Sequence, residues 1–226
     1  MTTMNHELTV FRLKDPISSL SHFAGFVFSI PAGLFLLVKA SASGCSLSTM
    51  IGLAVFCASL SLLYAASAAY HAFYFGTGMD GFLRRVDHCS IFVLIAGSYT
   101  PICLSLLNQP SGTVLLSVVW GIAIAGIAFK ILWIDCPKVL SSIMYIGMGW
   151  ACLSVLPQLL HSPGFVLLLS GGIFYTIGGV IYSLKPNLFP NEAQTGFGNH
   201  ELFHFFVLAG SLCHWWYMLE VITAIG

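Results

Sequence analysis

The residues with the clearest chemical potential lie near the C-terminal end of the chain, in Asn199-His200-Glu201-Leu202-Phe203-His204. Residues four apart on a helix face the same side, so His200 and His204 can direct two imidazoles at one metal ion. The same letters match H-E-x-x-H, the helical motif in which two histidines hold zinc and the glutamate is the general base of metalloproteases. A metal site is therefore the first hypothesis for this stretch.

Further ionisable and hydroxyl residues stand at the ends of other apolar runs. Ser67 and His71 are one helical turn apart at the end of one run, and Asp87 opens the next. Ionisable groups inside a membrane cost about 2.5 to 3.5 kcal/mol at mid-bilayer on insertion scales, so they usually face the bundle interior and have partners. These residues therefore need partners, and a shared cation is one.

The positioning elements follow from composition. Of 226 residues, 58% are hydrophobic and only 7% are charged, and the mean hydropathy of +0.91 is that of a chain surrounded by lipid. A bilayer core of about 30 Å needs roughly 20 apolar residues per helical crossing. Seven runs satisfy this, so we predict an all-α integral membrane protein with seven transmembrane helices, at about 17–39, 47–75, 87–107, 112–134, 138–158, 164–184 and 199–222.

Basic residues set the predicted orientation, because Lys and Arg accumulate in short cytoplasmic loops. With the N-terminus inside, seven of the eight fall on the cytoplasmic side and only Lys39 outside; the seven are Arg12, Lys14, Arg84, Arg85, Lys130, Lys138 and Lys185. The C-terminus is then outside. We expect a cytoplasmic N-terminal segment at 1–16, a single seven-helix domain at 17–226, and a polar loop at 76–85.

This orientation brings the polar residues to one level near the cytoplasmic face. We interpret His71, His200 and His204 as zinc ligands. Three protein nitrogens and a water form the open arrangement of catalytic zinc sites. Asp87 would reach the fourth position or its water, and Ser67 would support the site. Two alternatives stay open: a closed structural site with Asp87 as a direct ligand, and a hydrogen-bonded polar cluster without a metal. His22 and His214 are undecided between ligation and hydrogen bonding.

Other protein classes are less well supported. No basic run exceeds Arg84-Arg85, which argues against a nucleic-acid partner. The seven cysteines include no C-x-x-C pair, so we expect no disulfide framework. Small residues would permit close helix contacts within or between chains, at Gly121, Ala125, Gly171, Gly172, Gly178 and Gly179.

With these motifs in hand, the chain resembles the haemolysin III family, the bacterial branch of the progestin and adipoQ receptor superfamily. The resemblance covers nearly the whole chain and rests on motifs in order along it: Asp15-x2-Ser18-x3-His22, Ser67-x3-His71, Asp87-His88 to Gly97-Ser98-Tyr99-Thr100-Pro101, and His200-Glu201-Leu202-Phe203-His204 to His214. The receptor branch has glutamate and asparagine where this chain has Asp15 and Ser18.

The resemblance implies seven helices with the N-terminus inside and a zinc ion near the cytoplasmic face, held by the residues that match His71, His200 and His204. It also implies that Asp87 orients the zinc water. Relatives such as the adiponectin receptors resemble hydrolases of ceramide-like lipid amides, and bacterial members are associated with membrane-lipid homeostasis.

The leading hypothesis is therefore a zinc-dependent hydrolase of a lipid amide or ester, with membrane lipids as its partners. Asp87 would take the proton, and Glu201 is the reserve base. The alternatives are a non-enzymatic membrane sensor with a structural zinc, a pore-forming haemolysin, and an intramembrane metalloprotease. The protease is disfavoured because its histidine motif is expected before the distant aspartate, the reverse of the order here.

Overall fold

Seven long apolar helices make up the fold, described here from a computed structural model that covers residues 13–74 and 76–225. All seven are long and apolar enough to cross a bilayer, so the prediction of an all-α, seven-span membrane protein is confirmed. Their bounds are α1 Pro16–Ala42, α2 Leu47–Ala72, α3 Thr77–Ser105, α4 Ser111–Leu132, α5 Lys138–Leu160, α6 Phe165–Leu184 and α7 Asn199–Ile225. A one-turn helix, Glu192–Thr195, lies between α6 and α7.

The surface of the bundle is apolar and its interior carries the polar groups. Phe28, Leu132 and Val166 are more than two-thirds exposed, whereas serine and histidine side chains are buried along the helices. A large apolar surface of this kind suits lipid and not water. The seven cysteines are all free, as expected.

The predicted polar loop at 76–85 is wrong, because α3 begins at Thr77 and so includes most of it. Hydropathy marks only the part of a helix that lies in lipid, and the extra residues 77–86, nearly three turns, carry charges that find partners. Asp80 accepts a hydrogen bond from Lys14 Nζ at 2.9 Å, and Arg84 donates one to Asp135 at 2.6 Å. The second helix is also shorter than predicted and ends at Ala72.

The predicted cytoplasmic basic residues gather at one end of the bundle, with one unexpected environment. Arg12 lies outside the described residues. Lys130, predicted as a charge on the cytoplasmic side, is 1% exposed; its Nζ donates to Ser141 Oγ at 2.6 Å and lies 3.1 Å from Cys136 Sγ. This lysine fastens the end of α4 to the start of α5.

The fifth span is continuous in length but irregular in winding. A 3-10 segment, Trp150–Val155, interrupts it. At that point the Tyr99 hydroxyl donates to the carbonyl oxygen of Gly149 at 2.5 Å and accepts from the amide of Cys152 at 3.0 Å. A side chain of α3 thus pairs the backbone groups that the change of winding releases, which lipid could not do.

The small residues predicted for close packing divide into two groups. Gly171 and Gly178 face α7, and Gly179 faces α5: a Cβ would lie 2.2 Å from the His214 ring, 2.8 Å from Phe206 and 3.2 Å from Ile146, respectively. At Gly121 and Gly172, by contrast, no atom would lie within 4 Å of an added Cβ. Close approach of α6 to α7 therefore depends on Gly171 and Gly178.

We expect Gly171→Ala to lower the free energy of unfolding by about 1 to 3 kcal/mol, because the added methyl group meets His214 and the carbonyl oxygen of Gly210. Gly172→Ala, the adjacent residue on the same helix, is the matched control and should be neutral or slightly stabilising. Denaturant or thermal unfolding in detergent measures both. Equal stability of the two variants would contradict the packing described for α6 and α7.

Candidate metal centre

Three histidines from two helices meet at one end of the bundle. His71 lies on the last turn of α2, and His200 and His204 lie on the first turns of α7. One ring nitrogen from each lies within 4.8 Å of the other two, and the cluster is largely buried. The sequence prediction that these three side chains converge is therefore confirmed, and the cluster could bind a metal ion.

A carboxylate fixes the ring of His71. Asp15, the residue before α1, places Oδ2 2.8 Å from His71 Nδ1, and its backbone amide donates to the carbonyl oxygen of His71 at 2.9 Å. Because Nδ1 donates its proton to the carboxylate, the lone pair lies on Nε2, which faces His200 Nε2 at 3.1 Å. The same hydrogen bond lowers the pKa of Asp15. Such a carboxylate partner is typical of metal-binding histidines.

Sequence reasoning used Asp15 only as a boundary of the first helix and as part of the family motif. It could not pair Asp15 with His71, because 56 residues separate them. One feature of the sequence could have indicated the pair: Asp15 is an acid directly before the first span, at the membrane depth predicted for the three histidines.

Glu201 serves the start of α7. One carboxylate oxygen accepts from the Gly198 amide at 2.9 Å, and the other accepts from Ser18 Oγ at 2.8 Å. The carboxylate therefore caps the helix that carries His200 and His204 and ties it to α1. Since both oxygens are engaged, Glu201 is poorly placed for the base role that H-E-x-x-H suggests.

Asp87 and Ser67 lie beside the histidines in a shared cavity. Both side chains are buried, and together with His200 and His204 they line a cavity of 430 Å³ inside the bundle. Asp87 Oδ2 is 3.4 Å from Nδ1 of His88. Ser67 precedes His71 by one turn of α2, as expected.

The two undecided histidines have different positions. His22 stacks on His204, with ring centroids 3.8 Å apart and planes inclined by 18°. A ligand nitrogen binds zinc at about 2 Å in the plane of its ring, so stacked rings do not share one ion, and His22 is excluded as a fourth ligand. His214 lies deeper along α7, where its Nε2 donates to the carbonyl oxygen of Leu168 at 3.2 Å.

The donor set fits a metal ion. Nε2 of His71 and Nε2 of His200 point at one another, and Nδ1 of His204 is buried without a hydrogen-bond partner among the described residues. Buried imidazole nitrogens without partners are unfavourable, and one cation would satisfy all three rings. Neutral imidazole is a borderline ligand that suits zinc and other late transition metals.

The fold and the three histidines define a multi-pass membrane protein with a candidate metal centre inside the bundle. Residues 11–215 match the family described as Haemolysin-III related, and the chain belongs to that family. As a member, it is a multi-pass protein of the cell membrane.

Individual relatives agree with this assignment. The chain is 34% identical over 214 residues to Hemolysin-3 of Bacillus cereus, covering 93% of each chain. It is 36% identical over 206 residues to a Hemolysin-3 homolog of Bacillus subtilis, covering 89% of this chain and 92% of the relative. A more distant relative is Heptahelical transmembrane protein 5 of Arabidopsis thaliana, with 26% identity over 182 residues, 73% of this chain and 47% of the relative.

We expect the purified protein to carry about one zinc ion per chain and His204→Ala to lose it, because two imidazoles alone hold the ion weakly. His161→Ala is the control, since His161 is exposed and 2.6 Å from the carbonyl oxygen of Pro157. Elemental analysis of both variants beside wild type makes the measurement. Equal metal content in all three samples would argue against the triad.

Asp15→Ala should weaken metal affinity by about 10- to 100-fold, because His71 loses the acceptor that sets its tautomer and ring orientation. Asp135→Ala removes an acid from the same end of the bundle, where it pairs with Arg84 and not with a histidine. Competition with a chromophoric zinc chelator gives both affinities. The proposed role of Asp15 fails if the two variants bind zinc alike.

Proposed function

We propose that this protein is a zinc-dependent hydrolase that cleaves an amide or ester bond of a membrane lipid and so contributes to membrane-lipid homeostasis. The observation that carries the proposal is that two members of the histidine triad, His200 and His204, line a long apolar cavity inside a lipid-embedded bundle. A metal site built only for stability would need no cavity beside it.

The triad supplies three nitrogen donors and leaves room for a further position, which is the arrangement of catalytic zinc sites. Zinc bound there would lower the pKa of a bound water to about 7 and polarise a substrate carbonyl. His71, His200 and His204 would hold the ion. Asp15 would keep the His71 lone pair directed inward, and Glu201 would hold the start of α7 in place.

Asp87 is the proposed general base. Its carboxylate is buried, lines the cavity beside His200 and His204, and lies apart from the helix cap that occupies Glu201. In this site it would accept a proton from the attacking water and return it to the leaving amine or alcohol. Ser67, buried one turn from His71, would support the polar side of the cavity.

The cavity itself suggests a lipid chain as the ligand. Its volume of 430 Å³ is within the range of ligand pockets, about 300 to 1,000 Å³. It extends from the histidines to Leu115 and Leu159, which belong to the other end of the bundle, and its walls are mostly apolar, with leucine the most frequent lining residue. An acyl chain fits this shape and polarity, with its carbonyl group at the histidines.

We further propose that the triad faces the cytoplasm. The end of the bundle that carries it also carries Lys14, Arg84, Lys138 and Lys185, whereas Lys39 lies at the other end, where its Nζ donates to the carbonyl oxygen of Leu219. By the positive-inside rule the N-terminal segment 1–16 is then cytoplasmic, the C-terminus is outside, and 17–226 forms one domain.

Asp87→Ala should retain bound zinc and lose turnover by about 10²- to 10⁴-fold, since the base is removed while the ligands remain. Glu201→Gln should stay within about tenfold of wild type. The glutamine amide can still form a hydrogen bond with Ser18, and the proposed mechanism assigns no proton transfer to Glu201. Product release from labelled lipid amides and esters in nanodiscs, with zinc content measured beside it, makes the comparison.

The reverse ranking of these two variants would move the base to Glu201. A wild type that is full of zinc, unfolds on chelation and releases no product from any lipid would favour a sensor with a structural zinc.

A further inference from the structure

A second cavity adjoins the metal centre. Its volume is 270 Å³, and His200 and Tyr182 line both this cavity and the apolar one. We call it the vestibule; its other ionisable and amide side chains are Lys138, Lys185, Asn187, Glu192 and Asn199. A ligand at the triad can therefore extend in two directions, into an apolar cavity and into a polar one.

The vestibule has an excess of positive charge. Among the described residues, the ion pairs do not include Lys138 or Lys185, although Lys14 and Arg84 at the same end are both paired. The Lys138 ammonium lies 4.4 Å from the centroid of the Tyr182 ring, which holds it against the wall. Glu192 is the acidic residue in the lining, so two cations face one carboxylate.

The vestibule also has a free acceptor. Asn199 donates from Nδ2 to the carbonyl oxygen of Pro186 at 3.0 Å, while its Oδ1 is buried without a hydrogen-bond partner among the described residues. A buried acceptor without a donor is uncommon in a folded protein. The residue sits at the first turn of α7, one position before the ligand His200.

We propose that the vestibule binds the phosphate-bearing head group of a glycerophospholipid. The phosphate accepts hydrogen bonds from Lys138 and Lys185, and a hydroxyl or ammonium of the same head group donates to Asn199 Oδ1. The acyl chain occupies the apolar cavity, and the carbonyl group lies between the two cavities at the triad. Which bond is cleaved rests on the proposed function; binding of the head group does not.

The charge of the vestibule decides between lipid classes. A neutral lipid amide such as a ceramide would place hydroxyl groups beside two lysines and leave their charge uncompensated. A phosphodiester supplies the missing negative charge at the membrane surface, where each lysine strengthens binding of an anionic lipid by about fivefold. A phospholipid therefore fits the two cavities together better than a neutral lipid does.

Binding of phosphatidylglycerol with one fluorescent acyl chain tests this on the purified, zinc-loaded protein. Diacylglycerol with the same chains tests the contribution of the head group, and inorganic phosphate as a competitor distinguishes a lipid head group from a free ion. The variants are Lys138→Gln, Lys185→Gln and both together. Arg85→Gln is the matched control, because Arg85 bonds to Gly81 and Ile131 carbonyl oxygens at the same end of the bundle, outside the vestibule.

We expect about fivefold weaker phosphatidylglycerol binding for each single lysine variant and roughly thirtyfold for the double variant. Diacylglycerol binding should be unchanged in all of them, and Arg85→Gln should stay within about twofold of wild type for both lipids. Normal elution and zinc content show that the variants are folded.

Three results would overturn the inference. The double variant could bind phosphatidylglycerol as tightly as the wild type does, or the wild type could bind phosphatidylglycerol and diacylglycerol with equal affinity. The third is that millimolar inorganic phosphate alone abolishes the preference of the wild type for phosphatidylglycerol. Turnover measured on the same samples separates the two proposals. Binding that depends on the head group but gives no product would contradict the hydrolase proposal and support the head-group site. Turnover that is the same in the wild type and in both lysine variants would support the hydrolase proposal and contradict the head-group site.

Discussion

Desolvation of three imidazole rings inside a lipid-embedded bundle is the constraint on which this structure depends. Ionisable side chains inside a membrane are rare and almost always have a partner. His71 has the Asp15 carboxylate on one side and the other two rings on the other. His71 Nε2 and His200 Nε2 lie 3.1 Å apart, Nδ1 of His204 is buried without a hydrogen-bond partner among the described residues, and one cation at this point would pair all three rings.

The first helix organises this centre although it supplies none of the three histidines. Asp15 bonds His71 on α2, Ser18 bonds the glutamate that caps α7, and His22 stacks on His204. Lys14 adds an ion pair to Asp80 on α3. The start of α1 therefore sets the distance between the helices that carry the rings. A substitution that removes any one of these contacts would alter the surroundings of the triad while leaving His71, His200 and His204 themselves unchanged.

Sequence alone predicted the parts of this structure that local patterns encode. Hydropathy predicted the seven spans, since each contains an apolar run long enough to cross the lipid, and the four-residue spacing of His200 and His204 placed two rings on one helix face.

Prediction from the sequence failed where a charged stretch is helical outside the lipid, as at Thr77 to Arg85, because hydropathy carries no information there. It also missed contacts between residues distant in the chain, such as Asp15 with His71. The burial of Lys130 against Ser141 and Cys136 is a third case, because a lone lysine near the end of a span does not show which side chains surround it.

The separation of the ligands along the chain has a consequence for biosynthesis. His71 and His200 are 129 residues apart, and four complete spans, α3 to α6, lie between them. A ribosome must finish the last helix, and the translocon must release it, before the third nitrogen reaches the first. Metal capture at this cluster would thus be a late event of assembly, and a chain that stops short of its seventh crossing would stay without metal however well the earlier crossings have inserted.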